Sequence, residues 1–408
     1  MQSENNMYNP AKSYRALVLI ACTLGLGCYT AAYMRLPVVP LFARSLGIGT
    51  FEIGIINSLY MLAAGGLSMP LGIMSDRLGR KRLILAGLLI AAVSSFLFAF
   101  CQTSPQMIAV NIFAGIGLAA FGPTMMSFVA DFSPMTHLGR SYGWYTMAMY
   151  AGMSLGPSIG GLVALWLGYG RVFTISGIMH LIIFAIAMFA FPRRSPQHRK
   201  RSPKRDSRKI IRELLGNRPL LTCWLVTLFS CFGLGVFITF QPLHASEQGI
   251  GIGNIGLIFG TQALVNALAR IPFGYLSDRV SDRSSLVVWG LFGYAASFAG
   301  IGLSTSLAMF LVSAFGMGIS MGIAFTAVGA LISELAPVDS RGVAMGGYNT
   351  CIYMGMMLSS LIMGAVAGKF GFRACFLITA ALIAVGALAF SFVFKSISVQ
   401  KRALSKSS

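Results

Sequence analysis

The segment IGIINSLYMLAAGGLSMPLGIMSDRLGRKR, residues 53–82, is the most informative part of this chain for its fold. It begins with an apolar run long enough to cross a bilayer core, which takes about 20 helical residues, and it ends in a basic cluster. A second copy, IGLIFGTQALVNALARIPFGYLSDRVSDRS, follows at residues 255–284. Gly54 and Asp76 match Gly256 and Asp278, each pair lying 202 residues apart. The repeat predicts a membrane protein built from two halves on the same plan.

The composition places most of the chain in a membrane. Of its 408 residues, 56% are hydrophobic and only 10% are charged, whereas about a quarter of the residues in a soluble domain are charged. In lipid every backbone polar group must find a partner within the protein, so the apolar runs are expected to be helices. Twelve spans are predicted near residues 16–41, 52–74, 83–102, 106–130, 142–166, 171–191, 220–243, 253–276, 285–303, 307–333, 345–367 and 371–394.

These spans predict an all-α membrane protein made of two pseudo-symmetric six-helix bundles. The first bundle is expected at residues 1–191 and the second, with a cytoplasmic tail, at residues 220–408. A basic linker at residues 192–219 joins them. Within it, Ser207–Leu215 places isoleucines and leucines on one helical face, which predicts a short amphipathic helix lying on the membrane surface. Anionic membrane lipid is the expected partner of the basic linker.

The basic residues also predict the orientation of the chain. If the N-terminus is cytoplasmic, 25 of the 31 Lys and Arg lie in cytoplasmic segments and only Arg44, Arg171, Lys369 and Arg373 in outer loops. Cytoplasmic loops of membrane proteins carry such an excess. Both termini are therefore expected in the cytoplasm and the protein in the inner (plasma) membrane. The first span lacks a cleavage site and is expected to be retained.

Several classes of function are disfavoured. The net charge of +20 does not indicate a nucleic-acid partner, because the charges lie between apolar runs rather than on a soluble surface. The seven cysteines include no CxxC pair, and the four histidines lack metal-ligand spacing. The sequence also shows no nucleophile–base pair and no phosphate-binding loop. We therefore expect a monomer with no metal, no cofactor and no enzymatic activity.

The loop sequence GIMSDRLGRKR, Gly72–Arg82, carries a specific resemblance. It is similar to the loop between helices two and three of the major facilitator superfamily, G-x-x-x-D-R-x-G-R-[KR]-x, and a weaker copy lies at Gly274–Arg283. With the spans and the repeat, the resemblance covers essentially the whole chain. It implies alternating-access transport, with a latch that holds the halves together when the cavity faces outward. The implied latch residues are Gly72, Asp76, Arg77, Gly79, Arg80, Lys81, Asp131, Asp278, Arg279 and Glu334.

The second copy of the latch is expected to be weaker or to use different contacts. Asp282 stands where the first copy has Arg80, and Glu334 is the acid that could replace the missing contact. The alternative is that the basic residues of both loops only anchor the cytoplasmic side. Anchoring does not account for Asp76, because it does not require an acid.

The fifth predicted span contains GMSLGPSIGG, residues 152–161. It resembles the GxxxGPxxGG motif of the superfamily's drug–proton antiporter branch. Glycines four residues apart share one helical face and permit close helix packing, and a proline removes a backbone hydrogen bond and permits a bend. The alternative is ordinary helix packing without a role in transport. The motif residues are Gly152, Gly156, Pro157, Gly160 and Gly161.

The resemblance to this branch implies proton coupling, but this chain lacks the residues that usually carry it. The branch has an arginine in helix four where this chain has Asn111, and all eleven acidic residues lie in loops or at helix ends. A carboxylate at mid-membrane is the usual proton relay. His180 lies in the sixth span and is more easily explained as a packed or snorkelling residue than as a relay.

The candidate substrate contacts are polar residues within spans that line the cavity in this fold. Arg35 is expected either to snorkel to the outer surface or to line the cavity and bind an anionic group. Arg270, near the inner end of the eighth span, is interpreted as structural. The other candidates, together with Tyr33 and Tyr60, are Tyr29, Asn57, Asn111, Tyr150, Gln262, Asn266, Asn349 and Tyr353.

The sequence thus favours a secondary active transporter that exports a small amphipathic or anionic organic compound, with protons as the coupling ion. Two alternatives remain: an uptake symporter or uniporter of a small solute, and a non-transporting receptor on the same scaffold.

Overall fold

The protein is built from α-helices. The computed structural model describes residues 10–134, 137–191, 207–280, 283–337 and 340–407, and its regular elements there are helical. The helices are α1 Pro10–Tyr33, α2 Val38–Ser45, α3 Thr50–Leu78, α4 Arg80–Phe98, α5 Ser104–Phe132, α6 Leu138–Leu167, α7 Tyr169–Ala190, α8 Ser207–Gly216, α9 Arg218–Glu247, α10 Ile252–Arg279, α11 Arg283–Leu303, α12 Leu307–Leu335 and α13 Arg341–Ser407.

The helices supply the twelve spans that the sequence predicts. Eleven helical stretches of the described chain are long and apolar enough to cross a membrane, and the last, Val343–Phe394, has 52 residues. A continuous helix of that length would measure about 78 Å, far more than the roughly 30 Å of a bilayer core. It is interrupted at Gly371, where φ is 79° and ψ is 168°. The interruption divides α13 into the eleventh and twelfth spans, which confirms the predicted fold class.

The first span consists of two pieces. Residues 34–37 form a turn between α1 and α2, and both pieces lie within one apolar stretch, Tyr14–Ser45. Helices α1 to α7 pack into the first half of the molecule, and α9 to α13 into the second. Within each half, close van der Waals packing of side chains holds the helices together, because lipid offers no hydrophobic driving force between helices.

The short helix predicted in the linker is present, but one of its leucines lies in a different environment from the one expected. Helix α8 spans Ser207–Gly216, as the amphipathic pattern indicates. Leu214, however, is buried in the protein core, while Leu215 is exposed. Leu214 therefore anchors α8 to the second half instead of entering lipid. The remainder of the linker, residues 192–206, lies outside the described chain.

The molecule has a basic end and an opposite, far end. The basic end carries the α3–α4 turn at Gly79 and the α10–α11 connection, and the far end carries the turns at Gly47 and Gly249. At Gly79 the chain turns directly from α3 into α4 with φ at 92°. A side chain at this angle would be strained, which explains the glycine in the centre of the loop motif.

Candidate functional site

The two halves share one apolar core at the far end. A single buried cluster joins Met34, Ile53 and Ile56 of the first half to Phe237 and Ile255 of the second. Residues of the first half that lie nearer the basic end, such as Leu88, Phe128 and Tyr145, belong to a separate buried cluster. Among the described residues, the packing between the halves therefore closes the far end and does not extend through the basic end.

Helices α6 and α10 approach each other closely at the far end. A Cβ atom on Gly161 of α6 would lie 2.8 Å from the carbonyl oxygen of Ile252 and 3.0 Å from Cα of Gly256 on α10. Nearby, Ser154 Oγ donates a hydrogen bond to the Gly260 carbonyl at 3.1 Å. This contact requires the absence of side chains at two facing glycines.

Helices α3 and α13 form the matching contact on the other side. Ser58 Oγ donates to the carbonyl oxygen of Met357 at 2.9 Å, and Gly54 packs against the α13 backbone. Asn57 Nδ2 donates to Thr239 Oγ1 at 3.3 Å, and Thr239 Oγ1 lies 2.9 Å from Ser360 Oγ. Asn57, a predicted substrate contact, thus lies in the contact between the halves in this conformation.

An exposed ion pair crosses the same boundary. Arg44 Nη2 of α2 lies 3.2 Å from Glu247 Oε1 at the end of α9, and both side chains are about half exposed. Exposed pairs of this kind contribute only about 0–1 kcal/mol. The closure of the far end therefore rests on the glycine contacts and the shared apolar core.

Tyrosines lie where the halves begin to part. Tyr33 lies near Tyr60, Tyr150 and Tyr353, which come from α3, α6 and α13. Tyr29 packs on Tyr33, with 6.1 Å between ring centroids. The centre of the molecule therefore presents aromatic rings and hydroxyl groups from both halves.

An arginine of the second half stacks on one of these tyrosines. The guanidinium carbon of Arg270 on α10 lies 4.4 Å from the centroid of the Tyr150 ring on α6. Arg270 Nε donates to Asn266 Oδ1 at 3.2 Å. A cation over an aromatic face is a favourable contact. The interpretation of Arg270 as a structural residue missed its position between the two halves.

Two other predicted substrate contacts connect helices within one half. Asn111 Nδ2 donates to the Ile56 carbonyl at 2.9 Å and ties α5 to α3. Gln262 Nε2 contacts Met321 Sδ at 3.1 Å and ties α10 to α12. Asn349 is exposed on α13, and Tyr353 packs against Gly65 of α3. Of the predicted set, Tyr29, Tyr150, Asn266 and Tyr353 belong to the central group around Tyr33 and Arg270.

Arg35 neither snorkels nor reaches the boundary between the halves. It is only 6% exposed and lies inside the first half, where it shares a cavity of about 10 Å³ with Cys28, Tyr60 and His180. Its Nε and Nη1 atoms have no hydrogen-bond partner among the described residues. The turn at residues 34–37 directs the side chain into the bundle instead of outward.

His180 faces Arg35 across this cavity with complementary chemistry. Its Nδ1 lies 2.8 Å from the carbonyl oxygen of Ser176, so Nδ1 carries the proton and Nε2 of the neutral ring is an acceptor. Nε2 also has no partner among the described residues. A cavity of about this size holds one water molecule.

The glycines of the helix-five motif contact two different helices. A Cβ atom on Gly152 would lie 2.6 Å from the Leu26 carbonyl oxygen, and one on Gly156 would lie 2.8 Å from that of Thr30. Gly160 packs against the backbone of Met34. These three glycines hold α6 against α1, while Gly161 faces α10 of the other half. Pro157 lies between Gly156 and Gly160, inside α6.

The predicted latch contains an ion pair within the first half. Arg80 Nε donates to Asp131 Oδ2 at 2.9 Å, and Arg80 also bonds to Ser75 Oγ. Lys81 Nζ donates to the carbonyl oxygens of Met188 at 2.7 Å and Phe191 at 3.2 Å. Arg77 is exposed, and Gly72 faces open space. The side chain of Asp76 lies outside the described part of the structure.

The second half repeats this arrangement with an arginine that the sequence analysis missed. Arg283 pairs with Glu334, and its Nε donates to the Ser277 carbonyl at 2.8 Å. The missed signal was the spacing: Asp131 and Glu334 lie 203 residues apart, as do Arg80 and Arg283. The spacing of 202 residues that relates Gly54 to Gly256 aligns Arg80 with Asp282 instead of Arg283. Arg279 is exposed, and the side chain of Asp278 lies outside the described residues.

The acidic groups of the described chain lie at helix ends. Glu52 is in the first turn of α3, Asp131 and Glu334 close α5 and α12, and Glu247 ends α9. Around the central tyrosines the described residues therefore combine positive charge with hydroxyl and amide groups. His, Cys, Asp and Glu form no group of three or more that could hold a metal ion within the described residues.

Comparison with known proteins gives the same fold and identifies the family. The profile of the Major Facilitator Superfamily matches residues 21–254 and 223–407. An uncharacterised MFS-type transporter of Methanocaldococcus jannaschii is 26% identical over 85% of this chain and 92% of its own. The quinolone resistance protein NorA of Staphylococcus aureus is 23% identical over 81% and 84%. The multi-drug resistance efflux pump PmrA of Streptococcus pneumoniae is 24% identical over 86% and 89%.

Solved structures superpose over nearly the whole molecule. A bacterial homologue of the human lysosomal transporter Spinster, in an inward-facing and unoccupied conformation, has a TM-score of 0.80 at 15% identity over 95% of this chain and 97% of its own. The nucleoside transporter NupG also has a TM-score of 0.80, at 14% identity over 93% and 99%. At these identities the superpositions show the fold alone. The match of the family profile along nearly the full length shows that this chain belongs to the Major Facilitator Superfamily.

Proposed function

We propose that this protein is a secondary active transporter of the plasma membrane that exports small amphipathic or anionic organic compounds by alternating access. The observation that carries the proposal is the single closed end. The halves share an apolar core and close glycine contacts at the far end, and they part around a tyrosine-rich centre toward the basic end. This is one of the two states that an alternating-access transporter must visit.

The orientation follows from charge. Cytoplasmic loops carry the excess of Lys and Arg, so the basic end is assigned to the cytoplasm with both termini. The conformation is then inward-facing, ready to take a compound from the cytoplasm. Export is supported by two relatives, the quinolone resistance protein NorA and the multi-drug resistance efflux pump PmrA.

The latch residues are proposed to act in the opposite, outward-facing state. In the present conformation Arg80–Asp131 and Arg283–Glu334 are pairs within each half, on either side of the open basic end. Closing that end would bring the two loops toward the facing half. Asp76 and Asp278 are proposed to meet the helices of the opposite half at that point, as favourable anions near a helix N-terminus.

Protons are proposed as the coupling ion, with carboxylates among the described residues as their binding groups. Those carboxylates lie at helix ends, so a coupling proton would bind at the boundaries of the membrane, at Asp131 or Glu334, instead of at a mid-membrane acid. Anionic lipid is proposed to contact the basic linker. The protein is proposed to act as a monomer without a cofactor or metal and without enzymatic activity.

Transport in inside-out membrane vesicles tests the proposal. These vesicles expose the basic end to the bath, so a fluorescent probe such as the uncharged N-phenyl-1-naphthylamine should accumulate inside when a proton gradient is imposed. Collapse of the gradient with nigericin should abolish accumulation, and vesicles without the protein are the control. Accumulation in right-side-out vesicles instead would indicate uptake, and absence of movement in either orientation, over a panel of neutral and anionic probes, would contradict a transport function.

A further inference from the structure

Arg270 has hydrogen-bonding capacity that the protein itself does not use. Its Nε donates to Asn266 and its plane lies over Tyr150, but its two terminal nitrogens make no hydrogen bond with the described residues. The side chain is partly exposed, so these donors reach the space between the halves. A guanidinium presents such donors as a planar fork that matches a carboxylate or sulfonate.

The surroundings of Arg270 lack a compensating negative charge. Arg270 lies nine residues before the end of α10, about 13 Å along the helix axis, whereas the described carboxylates lie at helix ends. The neighbouring groups are the rings of Tyr150 and Tyr348 and the amide of Asn266. A positive group in a medium of low dielectric attracts an anion strongly when no acid of the protein competes.

Arg35 does not compete for the same role. It is sealed inside the first half beside a cavity of about 10 Å³, which has room for one water molecule. Arg270 is instead open to the boundary between the halves, with an aromatic ring from the opposite half directly against it. The anion-binding role that the sequence suggested for Arg35 therefore moves to a residue in the second half.

We propose that Arg270 and Tyr150 form the substrate-recognition site for an organic anion, in which a carboxylate or sulfonate binds the fork and an attached aromatic or apolar body packs among the tyrosines. This inference rests on the proposed transport function and narrows its substrate class. Because Tyr150 and Arg270 belong to different halves, a bound anion contacts both of them and is positioned to influence their relative movement.

Two probes that differ by one charged group test this site. N-Phenyl-1-naphthylamine is uncharged, and 8-anilino-1-naphthalenesulfonate is the same aromatic body with a sulfonate. In the inside-out vesicles, Arg270→Gln should lower transport of the sulfonate relative to the uncharged probe at least about tenfold, because it removes a charge-assisted pair of hydrogen bonds. Arg270→Lys should recover part of the loss, since it keeps the charge without the fork.

Arg35→Gln is the matched control, because it removes the other arginine of the membrane interior. It should leave the ratio of sulfonate to uncharged-probe transport unchanged. An unchanged ratio in Arg270→Gln, or an equal fall in Arg35→Gln, would overturn the inference. Tyr150→Phe should keep most of the ratio and Tyr150→Leu should lower it, because the ring face is the part of Tyr150 that contacts Arg270.

Binding measured without transport separates this inference from the proposed function. The sulfonate probe should raise the melting temperature of the purified wild-type protein and of Arg35→Gln, but not that of Arg270→Gln. If this pattern holds while no probe is transported, the transport function is wrong and the anion site stands. If the probe stabilises Arg270→Gln as much as wild type, or stabilises none of the three proteins, the anion site is wrong.

Discussion

Gly161 of α6 and Gly256 of α10 face each other across the two halves, and neither position has room for a side chain. A Cβ atom on Gly256 would lie 2.6 Å from the carbonyl oxygen of Pro157, and one on Gly161 would lie 3.0 Å from Cα of Gly256. Backbone-to-backbone contact of this kind is available only to glycine. The pair therefore marks a place where the far end closes, and the proposed alternating-access cycle requires the two glycines to separate there.

Gly161→Leu should shift the conformational equilibrium toward a state that is open at the far end. Overpacking of a close contact costs about 1–3 kcal/mol, which corresponds to a roughly 5- to 150-fold change in population. Labelling of a cysteine introduced at Ser58, beside the far-end contact, should rise in the variant. Gly170→Leu is the control, because a side chain at Gly170 would meet open space. Unchanged labelling in Gly161→Leu would contradict this role for the contact.

Gly156→Leu should act differently from Gly161→Leu, although the residues are neighbours in one motif. Gly156 packs against the backbone of α1 within the first half, where a Cβ atom would lie 2.8 Å from the Thr30 carbonyl oxygen. The substitution should lower the melting temperature in every conformation, because it separates two helices of one bundle. If Gly156→Leu retains wild-type stability and transport, the α1–α6 packing has no structural importance.

The first latch pair should couple more strongly than the second. The side chains of Arg80 and Asp131 are 12% and 31% exposed, whereas those of Arg283 and Glu334 are 19% and 55% exposed. Solvent screens the second pair more, so its coupling should be at the lower end of about 0.2–1 kcal/mol. Double-mutant cycles on thermal stability, with alanine at each position, measure both couplings. A stronger coupling for Arg283–Glu334 would reverse the prediction.

Asp76→Asn should impair turnover while leaving insertion and stability intact. The carboxylate is proposed to act only when the basic end closes, so its loss should lower the rate of the conformational cycle and not the amount of folded protein. Transport rate normalised to purified protein is the measurement, and Glu52→Gln, an exposed acid at the far end, is the control. Normal transport by well-expressed Asp76→Asn would show that the acid is not part of a latch.

Arg35→Met should leave thermal stability unchanged or raise it. Arg35 carries a buried charge, two of its nitrogens lack partners, and the described residues lining its cavity include no acid. Exchange of buried ionic groups for apolar side chains of similar volume is often neutral or stabilising by about 1–4 kcal/mol. The melting temperature of the purified variant measures the effect. A clear destabilisation would indicate that Arg35 holds a bound group or water that contributes to the fold.

The class of protein and its internal symmetry could be predicted from the sequence. Apolar runs of bilayer length leave the backbone no alternative to helices, and the repeat of Gly54 and Asp76 at Gly256 and Asp278 indicates two related halves. These properties depend on local chemistry and on residue spacing, both of which can be read along one chain. The same holds for the glycine face of residues 152, 156 and 160, which follows from helical periodicity.

Which polar residues face the boundary between the halves depends on how the helices pack against one another. A helix in a twelve-helix protein has neighbours on several sides, and spacing alone does not say which side is lipid, bundle core or cavity. For this reason the positions of two arginines could not be predicted: Arg35 is buried in its own half after the turn that follows α1, while Arg270 contacts Tyr150 of the other half. The pairing of Arg283 with Glu334 likewise depends on how α11 packs against α12. Residue spacing within either helix does not show that contact.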